Sequence, residues 1–174
     1  EKINDVINDI IHAQNVNPKT TNKTDIVFDE PNTPLFIFAD KLRIYEVISN
    51  LITNAINATR NTSTDKVTVC ARVREPSKNN SNFVCGYDAN SYVIVSVKDS
   101  GTGIDPEIET RLFTKFVTKS ESGLGLGLYI SKCIVNAHDG KIWGQNNQDG
   151  KGATVSFSLP IETKVTSARA EDDL

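Results

Sequence analysis

The 174-residue chain has no long hydrophobic run: its longest apolar stretches, such as residues 35–39 and 92–97, are strand-sized. Crossing a bilayer takes roughly 20 such residues, so no membrane span or membrane contact is expected. It has no excess of positive charge either, since the formal net charge is −3 and the pI about 5.4. That excludes the basic field that drives nonspecific nucleic-acid binding, and no nucleic-acid partner is expected. Cysteine is scarce: Cys70, Cys85 and Cys133 form an odd set with no close metal-type pair. They read as reduced thiols, with a Cys70–Cys85 bridge between neighbouring strands as the alternative. A cleavable leader is not apparent, because Glu1, Asp5 and Asp9 interrupt the first apolar residues and no small-residue cleavage site follows; a cytoplasmic segment is expected. Only two histidines occur. His138 precedes Asp139-Gly140 and reads as a helix C-terminal cap, and His12 lacks the Glu and Arg neighbours of a phosphoacceptor segment. What is present, 38% hydrophobic and 24% charged residues, is enough for one soluble domain with its own core.

Periodicity orders that domain. Ile3, Val6, Ile7, Ile10 and Ile11 recur at helical spacing before polar residues and Pro18 break the pattern, so residues 1–23 read as the end of an upstream helix and a linker. Residues 24–29 alternate as a strand, and residues 35–39 follow Pro31 and Pro34 as another. Asp40 can cap a helix over 41–59 with Leu42, Tyr45, Ile48, Leu51, Ile52, Ala55 and Ile56 as its core stripe. On that helix Arg43, Glu46, Asn50, Asn54 and Asn57 project within an arc of about 80°, one polar ridge. Strands are predicted at 66–74 and 92–98 around an Asn- and Ser-rich insertion at 75–91. Asp105-Pro106 starts a short helix, 124–137 forms a long one, and strands at 141–146 and 154–159 close a hairpin over Gly150-Lys151-Gly152. The hairpin-linked order predicts an α/β (α+β) two-layer sandwich, its sheet mixed but mostly antiparallel and covered on one face by helices, spanning 24–161. Residues 162–174 read as a disordered acidic tail.

Three segments carry chemistry. In Asn50-Leu51-Ile52-Thr53-Asn54-Ala55, the Asn54 carbonyl can ligate magnesium, which needs one or two protein oxygens beside a nucleotide, and Asn50 can bond a phosphate; both could equally face solvent. In Asp99-Ser100-Gly101-Thr102-Gly103-Ile104, the carboxylate follows a buried strand and needs a donor. The adenine amine is one, and a turn in which Asp99 caps the helix at Asp105 is the alternative. Gly123, Gly125 and Gly127 lead into a helix whose free amides can hold phosphate, or else they serve close packing. No Gly-Lys-Ser/Thr follows and no strand leads directly in, so neither a Walker A loop nor a Rossmann fingerprint is present. The segment 105–122 between the glycine elements reads as a lid anchored by Phe113 and Phe116, with Lys115 and Lys119 as phosphate candidates.

These segments resemble the ATP-binding domain of sensor histidine kinases, in the superfamily shared with gyrase, mismatch-repair ATPases and a heat-shock chaperone, over about residues 35–160. Residues 50–55 look like its N box, 99–104 its G1 box, 112–117 its F box, 123–128 its G2 box and 150–154 its final glycine turn. The resemblance implies a Bergerat-type ATP-binding fold with ATP and Mg2+ as cofactors. It implies Asn54 as metal ligand, Asn50 and Lys119 as catalytic groups, and a nucleotide pocket lined by Asn50, Asn54, Asn57, Asp99, Gly101, Gly103, Ile104, Phe116, Lys119, Gly123, Leu124, Gly125, Gly127, Leu128 and Thr154. It further implies a phosphoacceptor-histidine dimerisation domain of the same parent, a response regulator as partners, and a homodimeric parent. A serine kinase or anti-sigma factor of the superfamily, an ATPase, and a noncatalytic nucleotide-sensing module are the alternatives. Two residues depart from the pattern: Asn57 stands where a basic residue is common, and Leu124 where Thr or Ser is frequent. Arg60 or Lys119 can compensate.

Overall fold

The computed structural model describes residues 2–16, 24–60, 66–74, 91–118 and 123–161. Its elements are α1 (Ile3–Val16), β1 (Asp25–Asp29), α2 (Lys41–Thr59), β2 (Lys66–Arg74), β3 (Tyr92–Asp99), α3 (Pro106–Glu109), α4 (Gly127–Ala137), β4 (Lys141–Asn146) and β5 (Ala153–Pro160). The strands form one mixed sheet in the order β1-β2-β3-β5-β4, in which β1 and β2 are parallel and the other three pairings antiparallel. The parallel pair requires a crossover, and α2 supplies it. The period-2 pattern of β2 and β3 buries Val67, Val69, Ala71, Val93, Val95 and Val97 on one face, where α1, α2 and α4 pack. The predicted two-layer mixed fold is therefore the observed one.

Helix α2 begins where its cap predicts. Asp40 is extended and accepts the amides of Leu42 and Arg43 at 2.9 and 3.2 Å, which satisfies two of the donors orphaned at a helix start. From the other side His138, the C-cap of α4, accepts the Asp40 amide on Nε2 (3.1 Å), and its Nδ1 faces the Ile134 carbonyl (2.8 Å). These partners put the ring proton on Nδ1 and tie the end of α4 to the start of α2.

Three expectations change. Leu42 is 79% exposed, and Ile44 and Val47 take the core positions. At 100° per residue Leu42 lies about 120° around α2 from Ile48, whereas Ile44 lies about 40° from it. Residues 35–39 do not extend a sheet: they make isolated bridges, Lys2 with Phe36 and Ile37 with Ile161. Leu35 and Ile37 are buried while Phe36 and Phe38 are exposed, so the alternation is real, but among the described residues its strand partners are the ends of other elements. The helix predicted from Leu124 starts at Gly127, because Gly125 adopts φ +65°, outside helical space. Residues 1–23 read as the end of an upstream helix and a linker; in the structure Ile3, Val6, Ile7 and Ile10 are at most 1% exposed in the same core as α2 and the sheet. Ile3 N donates to Leu35 O at 3.0 Å, so the stripe of α1 is covered from within this domain.

Among the described residues Cys70 and Cys133 are free thiols; the alternative Cys70–Cys85 bridge involves a residue outside them. Lys119, Cys85, the linker after α1, the tail at 162–174 and, apart from Ser91, the insertion at 75–91 lie outside the described residues.

Candidate functional site

Asp99 continues the inward-facing series Val93, Val95, Val97 to the end of β3, so strand periodicity delivers a carboxylate to the helix-facing side at the sheet's rim. It is only 6% exposed. Oδ1 accepts the amides of Gly101 (2.8 Å) and Ala153 (3.2 Å), and Oδ2 receives no hydrogen bond from the described residues. Burial pushes its pKa up from the ordinary 3.8, and the two amide bonds pull it part of the way back. The helix at 106–109 is capped by Asp105, which accepts Glu107 N at 2.8 Å, so Asp99 is not its cap. Asp99 is a buried acceptor with one oxygen unused.

The turn after it is built by close approach. Gly101 lies against the Ala58 carbonyl of α2, and Gly152, at φ +71°, lies so close that a Cβ there would sit 2.1 Å from Asp99 O. Two asparagines hold the surroundings. Asn146 accepts Ile104 N (2.6 Å) and donates to Ile104 O (2.9 Å). Asn147 donates to Asp99 O (2.9 Å) and Lys151 O (2.7 Å). Asn147 Oδ1 accepts the Thr154 hydroxyl at 2.6 Å, which corrects the placement of Thr154: it lies on the face of β5 opposite Asp99, and its neighbour Ala153 supplies the amide to the carboxylate. Sequence reading overlooked Asn146, Asn147 and Ala153. The signal for the first pair was the Asn-Asn dipeptide between a strand and a glycine turn, where Asx side chains bond local backbone.

The second half of the site is where α2 meets α4. Asn50 donates from Nδ2 to the buried Ser131 Oγ at 3.5 Å, and a Cβ on Gly127 would lie 3.8 Å from Asn50 Cγ. Gly127 is the first residue of α4, and its N-cap Leu126 makes no side-chain cap bond. The opening amides of the helix therefore carry the partial positive charge of its dipole beside a carboxamide, an arrangement suited to an anion. Asn54, one turn on, and Asn57 are exposed, and neither side chain makes a hydrogen bond among the described residues. Asn50 and Ala58, which touch the two halves, are separated by about 12 Å at 1.5 Å per residue. A nucleoside triphosphate has about that reach from base to phosphates.

Between the halves, residues 105–118 run over the glycine turn. Phe116 N donates to Gly125 O at 3.0 Å, and a Cβ on Gly125 would be 2.7 Å from Val117 N. Phe113 is half-buried, but Phe116 has φ +64° and is 74% exposed, so it does not anchor the segment. Leu124 and Gly123 are exposed, Leu128 packs partly buried on the core, and Lys115 Nζ sits 4.9 Å from the Tyr129 ring centroid. The fold thus gathers Asp99, Gly101, Gly103 and Ile104 near the C-terminal end of α2, and sets Gly127 beside Asn50 at the middle of that helix, with Gly125 against Phe116 and Val117. It sets Thr154 and the Phe116 and Leu124 side chains apart.

Comparison with known proteins shows the family and the fold. The profile of the family described as "Histidine kinase-, DNA gyrase B-, and HSP90-like ATPase" matches residues 39–163. The chain is 32% identical over 124 residues to the sensor protein FixL of Bradyrhizobium diazoefficiens, which covers 71% of this chain and 22% of that protein. It is 35% identical over 146 residues to the adaptive-response sensory kinase SasA of Prochlorococcus marinus, covering 81% of this chain and 33% of the relative. The chain therefore spans a third or less of the length of these curated relatives. Among solved structures, the nucleotide-free catalytic domain of histidine kinase ThkA superimposes with a TM-score of 0.69 at 29% identity over 92% of this chain and 93% of that one. Full-length ShkA in complex with AMPPNP does so with a TM-score of 0.69 at 25% identity, over 94% of this chain and 31% of that one.

Proposed function

Since the chain belongs to the histidine kinase-, DNA gyrase B- and HSP90-like ATPase family, we propose that it is the catalytic half of a two-component sensor kinase, passing the γ-phosphoryl group of Mg-ATP to a histidine on a dimerisation domain of the same parent protein. The observation that carries the reading is the pairing, along one helix, of a buried half-engaged carboxylate with an uncapped helix start flanked by Asn50. Asp99 takes the adenine amine on Oδ2 while Gly101 and Ala153 hold Oδ1. The opening amides of α4 and Asn50 receive the phosphates. Asn54 has an exposed carboxamide on the same ridge with no partner among the described residues, and magnesium beside a nucleotide asks for only one or two protein oxygens, so the residues fit that ion. Bound there, it would neutralise charge on the phosphates.

In phosphoryl transfer the protein mainly positions and neutralises, which suits a site of amides, glycines and one carboxylate. The acceptor imidazole nitrogen forms its N–P bond as the bond from Pγ to the ADP oxygen breaks. The parent is a homodimer whose phosphohistidine then serves a response regulator. We assign the domain to the cytoplasm, where ATP is supplied; no described helix is long and apolar enough to cross a membrane.

Mixing the purified chain with a separate acceptor-histidine domain and γ-labelled ATP should move label onto that domain in an acid-labile, base-stable bond. Steady ATP hydrolysis by the chain alone at the rate of a dedicated ATPase, with no label transferred, would replace the kinase reading by an ATPase one. Asn54→Ala should remove the magnesium-dependent gain in ATP affinity, about tenfold or 1.4 kcal/mol, and leave binding in chelator unchanged. Calorimetry with and without magnesium reads this directly, and an equal loss in both conditions would take Asn54 out of the metal role.

A further inference from the structure

The structure assigns to Asn146, the last residue of β4, the role of a positioning residue for the base-binding end of the site, a role that rests on the ATP reading above. Asn146 is on the helix-facing side of β4 with Ile142 and Gly144, and its carboxamide meets the backbone of a single residue 42 positions away. Oδ1 accepts Ile104 N at 2.6 Å and Nδ2 donates to Ile104 O at 2.9 Å. A side-chain amide thereby makes the two-bond pairing that an opposing strand residue would make. Among the described residues it is the one hydrogen-bond partner of the Ile104 backbone.

Position 104 closes the turn that begins at Asp99 and precedes Asp105, the cap of α3, so fixing it fixes the turn at its far end while Gly101 fixes the near end. The fit is tight: at Gly103, φ +79°, a Cβ would come within 2.7 Å of Asn146 Oδ1. Without the clamp the turn must be ordered each time a base binds, and that entropy is subtracted from affinity. Only an amide offers an acceptor and a donor at this spacing. A carboxylate of the same shape would keep the bond from Ile104 N and set its second oxygen against Ile104 O.

The phosphate end is about 12 Å away along α2, so the effect should be confined to the base. In Asn146→Ala, affinity for Mg-ATP should fall about fivefold, the worth of about one net hydrogen bond, while affinity for magnesium tripolyphosphate, which has no base, stays within about twofold. Hydrogen exchange at the Ile104 amide should quicken, with the Gly101 amide unchanged. The isosteric Asn146→Asp should fold normally and bind Mg-ATP no better than the alanine variant at neutral pH. Parallel loss of both ligands, unchanged ATP affinity despite lost Ile104 protection, or wild-type ATP affinity in Asn146→Asp would each overturn the role. A wild-type chain that binds tripolyphosphate but not ATP would instead overturn the parent reading, with Ile104 exchange still reporting on the clamp.

Discussion

Asp99→Asn should leave the domain folded and weaken ATP binding by about 100-fold, or about 2.7 kcal/mol. The amide can keep its carbonyl oxygen where Oδ1 accepts Gly101 N and Ala153 N, so the local backbone retains both bonds. Its NH2 group then replaces Oδ2 and confronts the adenine amine, donor against donor, where a charge-assisted bond had been. Guanine carries an oxygen at that ring position, so the preference for ATP over GTP should shrink in the same variant. Titration calorimetry with both nucleotides tests this. Unchanged ATP affinity in the Asp99→Asn chain would remove Asp99 from the base site.

The same residue gives a pH signature. Burial raises the folded-state pKa of Asp99 above 3.8, so the folded state favours its protonated form. Its contribution to stability is fully present below 3.8 and is lost as pH rises through the raised value. Nucleotide binding needs the ionised form and runs the other way: ATP affinity should rise with pH through that window. Asp99→Asn should abolish both dependences, and a variant that retained the affinity change would assign it to another group.

Gly152→Ala is the second large effect. Its φ of +71° already disfavours a side chain, and the added Cβ would sit 2.1 Å from Asp99 O and 2.6 Å from Asp99 Oδ1. Left-handed strain plus overpacking against backbone costs roughly 3–5 kcal/mol, a large share of the 5–15 kcal/mol that holds a domain together. A fall in melting temperature of about 10 °C and loss of ATP binding are expected. Gly150→Ala is the control. Its φ is +72°, but nothing lies within 4 Å of the new Cβ, so it should lose only about 1 kcal/mol and bind ATP normally. Equal melting temperatures for the two variants would mean that the contact with Asp99 contributes nothing.

Much of the fold was legible because its signals are local. Asp40 caps α2, as its side-chain chemistry predicts, α3 begins at Pro106 where a proline in the first helical turn places it, and the alternation of 66–74 and 92–98 is the burial pattern of β2 and β3. What misread did so where a partner far along the chain decides. Residues 35–39 alternate like a strand but among the described residues find only single bridges, to Lys2 and Ile161. The resemblance implies Thr154 at the nucleotide; strand parity turns it to the face of β5 opposite Asp99 and gives the amide contact to Ala153.

The three segments around Asn50, Asp99 and Gly127, and with them the expectation of an ATP site, follow from the sequence alone, because residue type and spacing along a helix, a strand end and a helix start are one-dimensional facts. Tertiary structure decided which atoms are available. It engaged Asp99 Oδ1 and left Oδ2 unused, set the opening of α4 against Asn50 with no side-chain cap, and clamped Ile104 with an asparagine 42 residues away. Those outcomes depend on backbone groups brought together by sheet order and helix packing, and a backbone amide carries no residue identity that a sequence could display.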